Sequence, residues 1–525
     1  MIMQLKRRLF VFILLLAFTP ARSFNLDSLL IVSIGGQEAF ETLRSVSTYY
    51  AEGEVNINGQ RGRFFMYSAL PDKMYLEVNL GAFSITQAYD GQVAWQRDHN
   101  GAVSRLAGYE ERELMKQVYF QSYSYLFKDR IPGGKEYRGT TVIDDDVYHL
   151  VAVFPLYVDT VLLHYDVKSG LQRLMVSRLD NVETQTFSED FRSVSGILMP
   201  FFSRAEASNA SLFSEFFVET VSLNQPVELS LFSIPSESKK DYYFPEGVDW
   251  VMMPFDFSYG HIYLTAVING KKKARFILDS GASANVFHQP TIGSLDLPSV
   301  GSLPAKGIGG FKQLDLVRTD SISIGGLTFY NQVAGATDLG RIGRAAADGT
   351  PFGGVLGYDF LSRFPIMIDY AGRALTVYNP DRFELPEGGE EVPFHLTMQV
   401  PTIEAELNGI HGSFLIDLGN AFGLILHDRF VQANGLEDKL DDVQDISGVL
   451  GGFGGQVAAK SAYAASFAFG GVRVQSLRVF LSGSAEGIAG SEELAGNIGN
   501  MFLEQFRLLI DYNNSRLIFY EGAKP

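Results

Sequence analysis

Two aspartates in this sequence each end an apolar run and stand two residues before a glycine. The two stretches are Phe276–Gly281 and Phe414–Gly419. An apolar run of this length predicts a buried strand that ends on the carboxylate. If Asp279 and Asp417 meet, they cannot both ionise cheaply and must share one proton. One carboxyl could then take a proton from water while the other donates to a carbonyl oxygen.

The surroundings of the two aspartates repeat in the same order, with a period of about 140 residues counted from Asp279 to Asp417. A period this long indicates domain duplication, since solenoid repeats span only ~20–50 residues. The matching segments are Asn269-Gly270 with Asn408-Gly409, Gly309–Phe311 with Gly451–Phe453, Ser321–Gly326 with Ser466–Gly471, Gly354–Leu361 with Gly496–Leu503, and Ile368–Tyr370 with Ile510–Tyr512.

The stretch Phe276–Ala282 resembles the active-site strand of retropepsin-like and pepsin-like aspartic proteases. Val355–Gly357 stands where that family has an apolar-apolar-glycine strand beside the catalytic loop. The resemblance covers residues 251–525 and implies a two-lobed, pseudo-twofold β fold. It also implies that Asp279 and Asp417 are catalytic, that water is the nucleophile and a peptide or protein the substrate, and that no cofactor or metal takes part.

The residues after the aspartates differ between the two copies. Gly281 and Gly419 allow a tight turn under each carboxylate. The resemblance implies that the Ser280 hydroxyl bonds across the lobe interface, but Leu418 has no hydroxyl to reciprocate. We therefore expect Ser280 to bond a backbone group or water. Three hypotheses remain open: an active protease, an inactive pseudo-protease that binds peptide or lipopeptide, and a homodimer of first lobes.

Two glycine-rich segments follow the aspartates where the protease family carries its flap hairpin. Glycine there would allow a mobile lid over a bound peptide, although glycine is also common in ordinary turns. The predicted flap and substrate-binding residues are Gly309, Gly310, Phe311, Gly451, Gly452 and Phe453.

Residues 24–232 read as a β-rich region broken by Gly, Asp and Asn turns. Several pieces resemble the lipoprotein-sorting carriers of the bacterial envelope, which implies a half-barrel-like β domain with short helices and a lipid or lipopeptide ligand. These pieces are Pro71–Lys73, Tyr89–Gly91 with Trp95, Tyr165-Asp166 with Ser169–Leu171, and Gly196–Pro200.

The whole chain is therefore predicted to be mainly β and to have five segments. They are a signal peptide (1–23), a carrier-like β domain (24–232), a linker (233–250) and two protease-like lobes (251–384 and 385–525).

Composition excludes several other classes of function. A net charge of −17 argues against nucleic acid as a partner, because phosphate binding needs clustered Lys and Arg. The absence of cysteine excludes thiol proteases and Cys-ligated zinc. The histidines His261 and His427, like the others of this region, have no second ligand at metal-binding spacing. No GxSxG elbow is present.

The N-terminus has the three-part layout of a secretory signal, with Lys6–Arg8, an apolar run Leu9–Phe18, and Ala21–Ser23 as the cleavage site. No later stretch is apolar over the ~18 residues that a membrane span needs. We therefore expect an exported protein of the bacterial envelope, periplasmic or secreted, without a membrane span after cleavage.

Export gives a first prediction. When the full chain is expressed in a bacterium, the mature protein should begin at Phe24, because cleavage follows Ser23. N-terminal sequencing of the extracytoplasmic fraction checks this. Extracytoplasmic protein that still begins at Met1 would contradict it.

Overall fold

The computed structural model describes residues 24–522 except 157, 181, 209–212, 236–239, 308–309 and 454. The predicted signal peptide and part of the predicted linker therefore lie outside the described residues. The predicted fold class is confirmed, since the chain is mainly β with a few short helices. No helix among the described residues is long and apolar enough to cross a membrane.

The N-terminal region is one antiparallel sheet. Its strands are β1 Thr48–Ile57, β2 Gln60–Ala69, β3 Lys73–Leu80, β4 Phe83–Tyr89, β5 Ala94–Arg97, β6 Val103–Arg105, β7 Gly133–Ile143, β8 Asp146–Pro155, β9 Val161–Asp166, β10 Gln172–Leu179, β11 Val182–Val194, β12 Ile197–Ala207 and β13 Phe213–Leu223. The spatial order is β6-β5-β4-β3-β2-β1-β13-β12-β11-β10-β9-β8-β7, so the chain runs from the centre out to one edge and then from the opposite edge back to the centre.

The helices are short. They are α1 Leu26–Ser33, α2 Gln37–Arg44, α3 Gly108–Gln121, α4 Gln289–Ile292, α5 Tyr358–Leu361, α6 Asp428–Asn434 and α7 Asn500–Leu503, with 3-10 turns at Leu229–Leu231, Leu436–Asp438, Ile488–Gly490 and Tyr512–Asn514.

The N-terminal sheet curls around its helices. Val118 of α3 shares an apolar cluster with Ala94 of β5, and its neighbour Tyr119 shares one with Leu163 of β9. Strands β5 and β9 are nine positions apart, about 43 Å in a flat sheet at ~4.8 Å per strand. One short helix can pack against both only if the sheet bends into an incomplete barrel. The predicted lipid or lipopeptide ligand of this barrel stays a prediction.

The remaining strands lie in the duplicated region. The first copy contains β14 Tyr242–Tyr243, β15 Trp250–Pro254, β16 Asp256–Ser258, β17 His261–Ile268, β18 Lys272–Leu278, β19 Val286–His288, β20 Ser299–Gly307, β21 Gly310–Ile324, β22 Leu327–Thr337, β23 Phe352–Leu356, β24 Ile366–Asp369 and β25 Ala374–Tyr378. The second contains β26 Glu390–Pro393, β27 His395–Thr397, β28 Val400–Leu407, β29 Ile410–Ile416, β30 Leu424–Leu426, β31 Asp441–Gly452, β32 Gly455–Phe469, β33 Val472–Ser482, β34 Leu494–Ile498, β35 Phe506–Asp511 and β36 Arg516–Glu521.

The two copies build sheets with the same strand order. The first runs β16-β17-β18-β23-β19-β22-β21-β20, and the second runs β27-β28-β29-β34-β30-β33-β32-β31. In both, the strand that ends on an aspartate pairs in parallel with the glycine-containing strand of its own copy, β18 with β23 and β29 with β34. The sequence repeat is thus a repeat of strand connectivity.

A third sheet joins the copies, in the order β15-β25-β24-β35-β36-β26. Each copy gives three strands, and the central antiparallel pair, β24 with β35, comes from equivalent places in the two copies. An approximate twofold axis through this strand pair relates the two copies. As a result, the aspartate-bearing strand ends of the two copies point towards each other.

Equivalent turns hold each aspartate-bearing hairpin. Asn269 and Asn408 both adopt a positive φ, 50° in each case, and each is followed by a glycine with a positive φ. Their side-chain oxygens accept hydrogen bonds from the backbone N–H of Ser321 (3.0 Å) and Ser466 (2.9 Å). Asn-Gly is suited to this turn because both positions need the left-handed region.

The loop between β5 and β6 docks the N-terminal sheet on the first copy. Asn100 donates from Nδ2 to the Val333 carbonyl (3.1 Å) and to Asp359 Oδ1 (3.0 Å), and it accepts from Val333 N–H (2.9 Å). Buried Arg363 lies between Asp98 of this loop (3.8 Å) and Asp241 (2.9 Å), a residue within the predicted linker. The interface is therefore polar, hydrogen-bonded and partly buried.

This interface gives the second prediction. Asn100→Ala removes three hydrogen bonds and leaves partners without replacement, so unfolding of the full chain should become easier by about 1–3 kcal/mol. Denaturant unfolding of both proteins measures the difference. Asn513→Ala, at an exposed position, serves as control. Equal stability of Asn100→Ala and the control would contradict the role of this loop.

Candidate active site

Asp279 and Asp417 occupy equivalent positions at the ends of β18 and β29. The backbone N–H of Asp279 donates to the Leu356 carbonyl, and that of Asp417 to the Ile498 carbonyl, both at 2.9 Å. Each aspartate is thereby fixed to the parallel neighbour of its own strand. The structure brings together in one chain the two carboxylates that the sequence singled out.

The glycines after the aspartates let the two loops approach closely. A Cβ atom placed on Gly281 would lie 2.4 Å from Asp417 Oδ1, and one on Gly419 would lie 2.3 Å from Asp279 Oδ2. No real side chain fits at such a distance. Each glycine N–H also donates to the aspartate of its own loop, at 2.8 Å for Asp279 Oδ1 and 3.0 Å for Asp417 Oδ1.

Ser280 bonds the two aspartate loops to each other. Its hydroxyl donates to the carbonyl of Ile416 (2.6 Å) and accepts from the N–H of Leu418 (3.0 Å), so it bonds the backbone of the second copy. The Leu418 side chain is fully buried in the apolar core instead. The interface thus has one of the two hydroxyl bridges that a symmetric pair would have.

Burial raises the proton affinity of both carboxyls. Burial, and then the negative charge of Asp417, raise the pKa of Asp279 well above its usual range. Burial also raises the pKa of Asp417, but hydrogen bonds from Asn497 and Gly419 oppose that rise. Each carboxyl lies against the glycine of the opposite loop, which is the arrangement of a pair that shares one proton.

Two residues near Asp417 were not assigned to the site by the sequence analysis. One hydrogen-bonds Asp417, and the other hydrogen-bonds the first. Asn497 Nδ2 donates to Asp417 Oδ2 at 2.8 Å. His427 Nε2 lies 2.6 Å from Asn497 Oδ1. The available signal was the repeat alignment itself, which sets Asn497 opposite Val355 of the first copy. His261, also isolated in the sequence, places Nε2 3.0 Å from the Gly419 carbonyl.

Both predicted flap segments are tips of β-hairpins. Gly309 lies outside the described residues. Gly310 pairs with Gly307, and the backbone of Phe311 pairs with that of Lys306. In the second copy, Gly451 and Gly452 pair with Gln456 and Gly455, and Phe453 begins the turn.

The two hairpin tips meet. A Cβ on Gly307 would lie 2.1 Å from the Phe453 carbonyl oxygen, so the backbones touch. The Phe453 side chain packs on the apolar cluster of the first copy that includes Val355 and Ala282, next to the Asp279 loop. The hairpin of the second copy therefore reaches over to the first.

The N-terminal region contacts the strand that leads to the first hairpin tip. Asp180, between β10 and β11, accepts from Ser491 Oγ (3.1 Å) and from the N–H of Glu492 (2.6 Å). Its other oxygen lies 3.8 Å from Lys306 Nζ on β20. One residue of the N-terminal sheet thus links both copies beside the flap strand.

In the part of the chain that the structure describes, no three His, Asp or Glu side chains are grouped closely enough to hold a metal ion.

Comparison with known proteins identifies part of the region. Residues 264–360 match the family model described as aspartyl protease. This aspartyl protease match contains Asp279 and ends before Asp417. No curated protein matches the chain.

Solved structures with similarity to the chain include a DUF1329 family protein from Desulfovibrio piger and a LolA superfamily protein from Nitrosomonas europaea. The first is 12% identical, covering 37% of this chain and 92% of that one, with a TM-score of 0.28. The second is 12% identical, covering 36% and 91%, with a TM-score of 0.27.

The raised pKa of Asp279 gives the third prediction. A carboxyl that binds its proton more tightly when folded contributes stability at low pH, and this contribution is lost as the pH rises through the raised pKa. Asp279→Asn cannot ionise, so above pH 3.8, the ordinary value, it should become progressively more stable than the wild type.

Thermal unfolding at several pH values measures this difference. The control is Asp320→Asn, the same substitution at an exposed position. A pH-independent difference for Asp279→Asn would contradict the raised pKa.

Proposed function

We propose that this protein is an aspartic endopeptidase that hydrolyses peptide bonds with a water molecule activated between Asp279 and Asp417. The observation that carries the proposal is the meeting of two partly buried carboxyls at equivalent strand ends of a duplicated fold, each against the glycine of the opposite loop. The aspartyl protease match at residues 264–360 supports the same chemistry.

The chemistry needs one proton on the pair. The ionised carboxyl takes a proton from water as the water oxygen attacks the peptide carbon, and the protonated carboxyl gives its proton to the carbonyl oxygen. A tetrahedral diol results. In the second step the C–N bond breaks, the amine nitrogen receives the proton taken from water, and a diol hydroxyl returns a proton to the other carboxyl. The pair is restored, and one water is consumed per bond.

The substrate proposed is an extended peptide or protein segment of the bacterial envelope. The two hairpin tips lie over the site, and an extended chain under them would be shielded from bulk water. To admit it, the contact between Gly307 and Phe453 must open, which assigns these tips a gating role. Export, as the N-terminal pattern predicts, would bring the enzyme to such substrates.

The fourth prediction tests the pair. Asp279→Asn and Asp417→Asn should each reduce cleavage of a peptide library by at least ~100-fold, because either change removes a proton donor or acceptor that the other carboxyl cannot replace. Mass spectrometry of the products measures cleavage. Asp320→Asn should cleave like the wild type.

Two outcomes would favour the other hypotheses. If Asp417→Asn kept wild-type turnover, a homodimer of first lobes would explain the activity better. If the wild-type protein bound peptides and cut none of them, the inactive pseudo-protease would be favoured, with Leu418 as the residue that departs from the family pattern.

A further inference from the structure

The two copies differ in the residue that faces the aspartates from the neighbouring strand. Val355 on β23 and Asn497 on β34 are equivalent, since each lies two residues before Gly357 or Gly499. Val355 belongs to an apolar cluster. Asn497 is almost as buried, yet its amide donates to Asp417 Oδ2 at 2.8 Å. Asp417 therefore has a side-chain donor from a neighbouring strand where Asp279 has an apolar neighbour.

A hydrogen bond to the Asn497 amide oxygen fixes the orientation of the amide group. His427 is fully buried, and its Nε2 lies 2.6 Å from Asn497 Oδ1. Burial lowers the pKa of His427 to about 4, so the ring is neutral near neutral pH and donates from Nε2–H to the amide oxygen. The Nδ2 group of Asn497 must then point at Asp417. An N–H donor stabilises a carboxylate more than a carboxylic acid, because the charged acceptor bonds more strongly.

We propose that Asn497, oriented by His427, is a positioning residue that keeps Asp417 ionised and leaves the shared proton on Asp279. This inference rests on the proposed function and assigns the roles within it. Asp417 takes the proton from water, and Asp279 donates to the peptide carbonyl oxygen. The two carboxyls of the pair are then not interchangeable, although they occupy equivalent places.

The other hydrogen bonds around the pair agree with this assignment. Asp417 accepts both from Gly419 N–H at Oδ1 and from Asn497 at Oδ2, so each of its oxygens has a donor. Asp279 accepts from Gly281 N–H at Oδ1. Burial and then the charge of Asp417 raise the pKa of Asp279 well above its usual range, whereas the Asn497 amide opposes the rise in the pKa of Asp417, as expected if Asp279 carries the shared proton.

Other titratable groups near the pair are accounted for. His261 faces Asp417 from β17, and burial lowers its pKa, so it is neutral and holds the Gly419 carbonyl. Tyr512 faces Asp279, and burial raises its pKa well above the usual value, so it stays protonated. The charge of Asp180 raises the pKa of His427, and the charge of Lys306 lowers it. His427 gains a proton near pH 4, but its Nε2–H still donates to Asn497 in that state. The acid side of a pH profile should therefore report Asp417.

The fifth prediction concerns that profile. Asn497→Val gives the second copy the residue type of the first and removes the donor. The acid limb of kcat/KM against pH should move up by about one unit, the size that loss of a hydrogen bond to a charged group implies. At a pH on the original limb this is about a tenfold loss, in kcat more than in KM, because the effect lies in protonation rather than in peptide binding.

His427→Phe tests the orienting step. It should move the acid limb in the same direction by less, since the Asn497 amide remains but is free to turn. It also keeps the inference testable if Asn497→Val does not fold. The matched control is Gln332→Leu, at a position outside the aspartate pair. It removes another buried amide that donates to an aspartate, with 2.9 Å between Gln332 Nε2 and Asp241 Oδ2. Both limbs should stay in place in this control.

A second measurement separates this inference from the proposed function. The protein is labelled with ¹³C at the aspartate carboxyls, and the Asp417 resonance is assigned as the one that Asp417→Asn removes. This resonance should titrate at higher pH in Asn497→Val than in the wild type, whether or not the protein cuts peptides. Active protein with an unmoved acid limb and unmoved titration would overturn the role of Asn497 and leave the peptidase standing. Inactive protein with the shifted titration would overturn the peptidase and support the role of Asn497.

Discussion

Two carboxyls that lie against each other constrain the whole C-terminal region. Burial raises the pKa of both Asp279 and Asp417, and the charge of Asp417 raises the pKa of Asp279 further. Such a pair is stable only where backbone and side-chain donors are fixed around it. The glycine N–H groups and the Asn497 amide supply these donors, and the Ser280 bridge holds together the loops that carry the carboxyls. The strands and turns of both copies serve to hold them in place.

The six-stranded sheet that joins the copies provides this rigidity. Its central pair, β24 with β35, fixes the angle between the copies. Ser280 then ties the two aspartate loops directly, with hydrogen bonds to the carbonyl of Ile416 and the N–H of Leu418 in the second copy. Because interior packing transmits small displacements, a shift in this sheet would change the separation of the carboxyls. The geometry of the pair is therefore a property of both copies together.

Much of this could be predicted from local patterns in the sequence. Alternating and apolar runs predicted the strands. Asn-Gly pairs predicted turns, which the structure has at Asn269 and Asn408. The duplication predicted which segments would be equivalent, because repeats of sequence in the same order imply repeats of connectivity.

Contacts between distant segments could not be predicted in the same way. Asn497 and His427 are 70 positions apart, and nothing in their spacing indicates a contact. The docking of Asn100 and Asp180 on the duplicated region depends on how two folded surfaces meet, which hydrophobic periodicity does not encode. A polar residue at one position of an otherwise apolar repeat was the one usable signal, at Asn497 opposite Val355.

The single hydroxyl bridge has a consequence for the ancestry of the chain. In a pair of first copies, each would bring its own serine and its own valine, and the partners would be identical. In a pair of second copies, neither would bring a hydroxyl, since Leu418 is fully buried in the apolar core. Each copy has a feature that the other lacks. Fusion in one polypeptide brings unlike halves together, and deleting or doubling either half would remove Ser280 or Asn497 from the site.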